Sequence, residues 1–200
     1  MAESMVHVID DDEAMRDSLS YLLESTDIAV RTYESAIEFL SEIDSVPNGC
    51  VVTDVRMPEM SGLDLVRRLR ERGVGLPVIV MTGHADVPLA VEAMKAGALE
   101  FLEKPFEEEV LLHAVRTALR GVPPGQDPTE KKRLLAIFEG LSPREQQVLE
   151  GVVAGKLNKI IAFELGISPR TVEVYRANMM SKTGARGLSE LVQMVMHARL

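Results

Sequence analysis

The chain has 200 residues, enough for one large domain or two small ones, and a formal net charge of −9 at pH 7. No apolar run approaches the roughly 20 residues that cross a bilayer, and the N-terminus lacks the basic-then-apolar pattern of a signal peptide. These features exclude a membrane protein and predict a soluble, cytoplasmic one. The single cysteine, Cys50, lies in an apolar run, which favours a buried thiol over a redox site. The histidines are too scattered for a zinc site: His7, His84, His113 and His197.

The charge is divided unevenly along the chain. Residues 1–122 carry 23 acidic and 11 basic side chains, a net charge of −12. Residues 123–200 carry 8 acidic and 11 basic side chains, a net charge of +3. This asymmetry predicts an acidic regulatory part joined to a part that can meet phosphates.

Apolar, strand-like runs alternate with helical patterns in the first 120 residues. Five strands with intervening helices are typical of a doubly wound α/β fold with a parallel sheet. The predicted strands are Val6–Ile9, Ala29–Tyr33, Cys50–Thr53, Val78–Met81 and Leu99–Leu102.

Three local signals mark the helices between these strands. Apolar residues at helical spacing predict the buried face of the first helix. Ser35, followed three residues later by Glu38, predicts a capping box, and Gly73 and Gly97 stand where helices should end. The predicted buried face consists of Met15, Leu19, Leu22 and Leu23.

A stretch rich in proline and glycine, residues 121–129, can sustain neither a helix nor a central strand. We interpret it as an interdomain linker, followed by a short helix over residues 130–138. The predicted domains are therefore residues 1–121 and 139–200, joined by a linker with a short helix at 122–138.

The second domain is predicted to be small and all-α. Ser142–Glu145 supplies an N-cap serine, a proline at the first helical position and a glutamate that closes a capping box. Ser168 and Pro169 repeat this start after a glycine turn. Residues 158–165 and 169–182 are therefore predicted to form a helix-turn-helix.

Charged and polar side chains gather where the predicted strands end, and this edge of a parallel sheet usually carries the functional groups. The first strand ends in the acidic run Asp10–Asp12, the third in Asp54 and the fourth in Thr82, while Lys104 follows the fifth. Converging carboxylates repel one another, and an oxygen-preferring divalent cation such as Mg2+ would resolve that repulsion. Lys104 and the Thr82 hydroxyl are suited to balancing the oxygens of a transferred phosphoryl group.

The simpler interpretation of each residue stays open. Aspartates at strand ends can be solvated loop residues, although the coincidence of five charged or polar positions at these ends favours a common site. Asp12 can simply start the first helix, where a negative charge is favourable. Phe101 can be a buried strand aromatic with no further role.

This set of residues resembles the receiver domain of two-component response regulators, over residues 1 to about 120. The resemblance implies that Asp54 accepts a phosphoryl group and that Met57, Pro58 and Gly62 form the loop after it. It implies a regulator whose only chemistry is Mg2+-dependent transfer onto its own aspartate and self-dephosphorylation. The implied metal ligands are Asp10, Asp11, Asp54 and the backbone carbonyl of Arg56, and the implied switch residues are Thr82, Phe101 and Lys104, the last before a cis Pro105.

Three motifs follow one another in residues 139 to about 195, namely Leu141–Glu145, Lys159–Ala162 and Leu165–Val172. In their order and spacing they resemble LuxR-type DNA-binding domains, and the whole chain resembles FixJ-type response regulators. The resemblance implies that the helix from Pro169 enters the major groove. Glu173 departs from the family, in which a lysine is common at this position.

Not every residue of the helix-turn-helix is a candidate contact. Ile167, Val172 and Met179 are predicted to be core residues. The candidates for DNA contacts are Lys156, Asn158, Lys159, Arg170, Thr171, Glu173, Val174, Arg176, Asn178 and Lys182; of these, the lysines would meet backbone phosphates.

We therefore predict a DNA-binding transcription regulator, and specifically an activator, that a sensor histidine kinase phosphorylates. The resemblance implies that phosphorylation favours a homodimer through the fourth helix, fifth strand and fifth helix, near Val91 and Lys95. The dimer is expected to bind promoters, and RNA polymerase is a further expected partner. Two alternatives stay open. A small phosphatase with an appended helical region would turn over phosphate esters, and a protein-interaction module would fail to shift DNA.

Overall fold

The computed structural model describes residues 4–83, 87–120, 128–185 and 188–199, so His84 and most of the predicted linker lie outside it. The chain falls into two compact units, residues 1–84 with 93–123, and residues 85–92 with 124–200. Within the described ranges, no helix is long and apolar enough to cross a bilayer.

A five-stranded parallel sheet forms the centre of the first unit. Its strands are β1 (Met5–Ile9), β2 (Ala29–Tyr33), β3 (Gly49–Asp54), β4 (Val78–Thr82) and β5 (Glu100–Glu103). They lie in the order β2-β1-β3-β4-β5. The chain first builds β2 on one side of β1 and then crosses over to build β3 on the other side, which creates a switch point between β1 and β3. The predicted doubly wound sheet is confirmed, with strand ends shifted by at most one residue.

Helices connect these strands, with a short 3-10 turn at Ile43–Ser45 before β3. Leu19 and Leu23 of the first helix are buried, and Met15 and Leu22 pack against the same core, as predicted. Burial raises the pKa of Cys50 on β3 to about 12, so its thiol stays protonated. The helices are α1 (Glu13–Glu24), α2 (Ala36–Ser41), α3 (Gly62–Glu71), α4 (Val87–Ala96) and α5 (Glu108–Leu119).

The helix ends follow the local signals with one exception. Gly73 and Gly97 adopt positive φ angles of 70° and 106° after α3 and α4, as expected of C-caps. Ser35 accepts the Glu38 amide, but the Glu38 carboxylate accepts the amide of Glu34. The predicted capping box at α2 is therefore wrong in its second bond.

His7 lies fully buried on β1, beside the rings of Tyr33 and Phe39. Its Nε2 lies 3.0 Å from the carbonyl oxygen of Pro47. Since a carbonyl can only accept, Nε2 carries the proton, and the neutral tautomer leaves Nδ1 as the acceptor for the Tyr33 hydroxyl at 3.5 Å. Burial lowers the pKa of His7, aided by the charge of Arg31 and opposed by the bond to Pro47.

This burial predicts an acid-sensitive first unit. Because the pKa of His7 is lower in the folded protein, the unfolded chain binds more protons as the pH falls below about 6.5. Stability is fully present above that pH and falls at lower pH, by at most about 1.4 kcal/mol per pH unit from this group. Urea unfolding at pH 7.5 and 5.5, with hydrogen exchange of β1 pulsed at one fixed pH, measures the loss. The His7→Gln variant keeps a donor for Pro47, and it should lose less stability than the parent between pH 7.5 and pH 5.5. An equal loss in the two proteins would contradict the assignment to His7.

Five helices form in the described residues of 124–200, the larger part of the second unit. The capping box of Ser142 and Glu145 is confirmed, as is the Gly166 turn, which adopts a positive φ of 65° between the two helices of the helix-turn-helix. Val172 and Met179 are fully buried, and Ile167 packs against their cluster, as predicted. The helices are α6 (Pro128–Glu139), α7 (Pro143–Val153), α8 (Asn158–Leu165), α9 (Pro169–Thr183) and α10 (Leu188–Arg199).

The short helix expected before the second domain is present as α6. It packs against α10 and buries Leu134 within the second unit. We propose that the second domain includes α6 and begins before residue 139.

Candidate functional site

Two carboxylates meet one lysine at the carboxyl edge of the sheet. Asp10 follows β1 and Asp54 ends β3, and only 2% and 8% of their surfaces are exposed. The Lys104 Nζ, after β5, lies 3.0 Å from Asp10 Oδ2 and 2.7 Å from Asp54 Oδ1. The predicted convergence of these three strand ends is therefore present.

Lys104 supplies the positive charge of this site. Burial by itself would lower the pKa of Lys104, but its hydrogen bonds and ion pairs with Asp54 and Asp10 outweigh burial and raise it. Lys104 therefore stays cationic at neutral pH, where it offsets the repulsion between the two carboxylates.

Three hydrogen bonds fix the position of Asp10, one to each carboxylate oxygen and one to the backbone carbonyl. Its Oδ1 accepts the Asp12 amide at 3.0 Å, its Oδ2 accepts Lys104, and its backbone carbonyl accepts the Arg16 Nη1 at 2.7 Å. Asp12 also accepts the Ala14 amide at 2.9 Å and is the N-cap of α1, which confirms the simpler interpretation of that residue. Arg16 is not among the site residues predicted from the sequence.

Asp54 is fixed by the loop that follows it. Its Oδ2 accepts the amide of Arg56, and the Gly62 amide donates to the Val55 carbonyl at 3.0 Å. A Cβ at Gly62 would stand 2.2 Å from the backbone oxygen of Asp54. The start of α3 can approach β3 this closely only because residue 62 is glycine.

Thr82 and Phe101 lie on the neighbouring strands. Thr82 is fully buried at the end of β4, where its carbonyl accepts the Lys104 amide at 2.7 Å, and the Lys104–Pro105 bond is cis, as predicted. Phe101 is 3% exposed on β5. Burial of this ring is compatible with a core role and with a switch role.

The described residues contain no group of three Asp, Glu, His or Cys side chains arranged to hold a metal ion. Asp10 and Asp54 lie together across Lys104, whereas Asp11 is exposed beside them. The donor set still fits Mg2+ in its chemistry, because every predicted ligand is an oxygen atom and two of them are buried carboxylates.

In the second unit, α9 presents a polar face to solvent. The exposed positions recur at the helical spacing of three and four residues. Val174 is 53% exposed, so its side chain is available for contact. Ala177 and Ser181 belong to this face but were not among the predicted contacts, although the helical period alone would have found them. The exposed positions of α9 are Pro169, Arg170, Glu173, Val174, Ala177, Asn178, Ser181 and Lys182.

All but one of the remaining candidates take part in contacts within the described part of the unit; the exception is Lys159. Thr171 Oγ1 lies 2.8 Å from the hydroxyl of the N-cap Ser168, and Arg176 donates to Asn158 of α8. Lys156 is exposed and pairs with Glu164 at 2.6 Å. Lys159 is exposed on α8.

Lys182 joins the last turn of α9 to α7. Its Nζ lies 2.7 Å from the carboxylate of Glu145, which is almost fully buried and also accepts the Ser142 amide at 2.7 Å. The bond from Lys182 and the bond from Ser142 lower the pKa of Glu145. The capping role of Glu145 follows from the sequence, but no sequence signal marks this ion pair.

Both units match known families. Residues 6–116 match the response regulator receiver domain, and residues 139–195 match the bacterial regulatory proteins of the luxR family. The chain belongs to the response regulators that carry a LuxR-type DNA-binding domain. As a response regulator, it regulates transcription under the control of phosphorylation, and its two domains imply a sensor kinase and DNA as partners. This membership favours a regulator over the phosphatase and over the module that does not bind DNA.

Relatives along the full length support this assignment. The response regulator is 54% identical to the transcriptional regulatory protein FixJ of Azorhizobium caulinodans, covering 99% of this chain and 95% of that protein. It is 50% identical to FixJ of Bradyrhizobium diazoefficiens, covering 96% of this chain and 95% of that protein. Crystal structures of full-length FixJ from B. japonicum are similar with a TM-score of 0.58 and 48% identity, covering 100% of this chain and 98% of that chain.

Proposed function

We propose that this response regulator activates transcription after a sensor histidine kinase phosphorylates Asp54. The observation that carries the proposal is the pair of buried carboxylates, Asp10 and Asp54, bound to the same ammonium group of Lys104. Such a site combines an anionic oxygen that can attack phosphorus with a cation that can follow the transferred charge.

In the transfer, a carboxylate oxygen of Asp54 forms a bond to phosphorus while the bond from phosphorus to the histidine nitrogen of the kinase breaks. Mg2+, held by Asp10, Asp11, Asp54 and the Arg56 carbonyl, would neutralise the charge of the phosphoryl oxygens when bound. Self-dephosphorylation is the attack of water on the same phosphorus, which releases phosphate and restores the carboxylate.

Lys104 and Thr82 would respond to the new charge. In the unphosphorylated structure Lys104 divides its bonds between Asp10 and Asp54. A phosphoryl group on Asp54 offers stronger acceptors, so Lys104 and the Thr82 hydroxyl would turn to its oxygens. Since the Lys104 amide is bonded to the Thr82 carbonyl, the two strand ends would respond together, and Phe101 on β5 is the proposed switch aromatic.

Phosphorylation is proposed to favour a homodimer through α4, β5 and α5. Lys95 is exposed near this face, whereas Val91 is 4% exposed and offers little surface. A dimer matters because residues 123–200 have a net charge of only +3, which predicts weak binding by one DNA-binding domain. Two linked half-site contacts raise the affinity without any new contact.

In the DNA complex, α9 is proposed to read bases through its exposed face. Arg170, Glu173, Val174 and Asn178 are the proposed base contacts, with Thr171 and Arg176 beside them. Lys156, Asn158, Lys159 and Lys182 are proposed to lie near the phosphates. An activator bound in this way would then contact RNA polymerase at the promoter.

Sedimentation velocity of the full chain at one fixed concentration tests the gating. The protein treated with acetyl phosphate and Mg2+ should sediment as a dimer and the untreated protein as a monomer, because phosphate must stabilise the dimer-competent state more than the resting one. The dimer should also shift promoter DNA at a lower protein concentration. Equal masses for the two forms would contradict gating through dimerisation.

A further inference from the structure

Arg16 reaches from α1 back to the end of β1. It lies in the first turn of a helix that begins at Glu13, and its half-buried side chain donates from Nη1 to the carbonyl of Asp10 at 2.7 Å. Helical side chains lean towards the helix N-terminus, so this reach follows the normal direction of the side chain.

We propose that Arg16 is a positioning residue for the metal and phosphoryl site. The Asp10 carbonyl belongs to the same planar peptide as the amide nitrogen of Asp11. By fixing the carbonyl, Arg16 sets the orientation of that peptide plane and therefore the direction in which both aspartates leave the backbone. The inference rests on the proposed metal site, in which Asp10 and Asp11 are ligands.

The chain needs a restraint at this point because the sheet is ending. The Asp10 amide still bonds to the Tyr33 carbonyl at 3.3 Å, but Asp10 lies beyond the last residue of β1 and Asp12 already caps α1. Asp10 and Asp11, which lie between the end of β1 and the N-cap of α1, therefore depend on side chains for their backbone conformation. Lys104 holds the Asp10 carboxylate, and Arg16 holds its backbone.

A positioning role and a purely electrostatic role of Arg16 predict opposite changes in metal affinity when Arg16 is removed. If the guanidinium acted mainly by its charge, removing it would strengthen the binding of a cation to the acidic edge. If it acts by orienting the Asp10–Asp11 peptide, removal leaves the ligands less ordered, and metal binding must then supply the missing order. The two accounts are separable by the direction of a single measurement.

The test is the affinity of the unphosphorylated full chain for Mg2+, followed by amide chemical shifts at constant ionic strength. Arg16→Met should weaken Mg2+ binding by about threefold to tenfold, the order expected when one charge-assisted hydrogen bond no longer preorganises the site. Arg16→Lys, which restores a cationic donor, should recover part of the loss. Arg116→Met on α5 removes the same charge from an exposed position and should leave the affinity unchanged.

A second readout needs no metal. The Asp12 amide donates a hydrogen bond to Asp10 Oδ1. In the metal-free protein, the chemical shift of this amide should therefore change in Arg16→Met and stay the same in Arg116→Met. Asp10→Asn serves as the reference for the metal site. If Asp10→Asn weakens Mg2+ binding while Arg16→Met leaves it equal or tighter, the role of Arg16 is overturned. If Asp10→Asn changes nothing, the metal site is wrong and the proposal falls with it.

Discussion

Asp54→Asn is expected to abolish phosphoryl transfer to the response regulator while leaving its first unit folded. The amide has the size and shape of the carboxylate but lacks the anionic oxygen that attacks phosphorus. The single oxygen of the introduced amide can still accept from either Lys104 or the Arg56 amide, but not from both with the same strength, so a stability loss of about 1 kcal/mol is expected. Intact-mass analysis after incubation with acetyl phosphate and Mg2+ should show a phosphoryl group on the parent and none on the variant.

Asp12→Asn is a matched control for this experiment. It removes a carboxylate from the same acidic edge, and asparagine is an N-cap as good as the aspartate that caps α1. This variant should therefore be phosphorylated like the parent. Stoichiometric phosphorylation of Asp54→Asn would show that another residue is the acceptor.

The sheet and its acidic edge could be predicted because both follow from signals that do not depend on details of packing. Asp10 and Asp54 are 94 and 50 residues from Lys104 in the sequence. Topology nevertheless brings them together, because parallel strands in this order end at one edge of the sheet. The pattern of five strands is therefore enough to predict that these three residues lie close together, without any knowledge of side-chain conformations.

Helix starts were predictable where the cap allows one arrangement. Ser142 and Glu145 form the predicted reciprocal bonds at α7. At α2 the Glu38 carboxylate reached the amide of Glu34, one residue earlier than expected. Adjacent amides lie within reach of the same flexible side chain, so sequence spacing alone cannot choose between them.

Pairs that depend on the angle between two elements were missed. Lys182 and Glu145 are 37 residues apart on α9 and α7, and both had a satisfactory local explanation. Arg16 is close to Asp10 in sequence, but its bond depends on where α1 starts relative to the end of β1. Neither contact has a periodic or capping signature, so only the packed structure reveals them.

The pairing of Lys182 changes what is expected of the DNA-binding surface. A lysine whose charge is offset by a buried carboxylate displaces fewer counterions from DNA than an exposed lysine without that neighbour. Lys159→Ala should therefore flatten the dependence of log affinity on log salt by about one unit, and Lys182→Ala by less. Lys182→Ala should instead destabilise the second unit, because Glu145 would keep a buried charge without its partner.

Base specificity is expected to depend on the exposed face of α9. Arg170 can donate to guanine acceptors and Glu173 can accept from a cytosine amino group, whereas Lys159 would meet only phosphates. Arg170→Ala should therefore cost about 1–3 kcal/mol on the preferred site and relax the choice of base at one position of each half-site. Glu173→Ala should alter the preferred base at another position, while Lys159→Ala weakens all sequences almost equally.

Selections from a randomised operator library, run on the phosphorylated parent and each variant at several salt concentrations, separate these effects. The Lys159→Ala protein is the control, because it should lose affinity without changing the selected sequence. Val174→Ala probes the same face without any charge, since it removes only the apolar contact that a thymine methyl group would meet. If Arg170→Ala and Glu173→Ala both select the parental sequence, α9 binds the duplex without base-specific contacts. The sequence specificity must then come from another part of the chain or from the deformability of the operator.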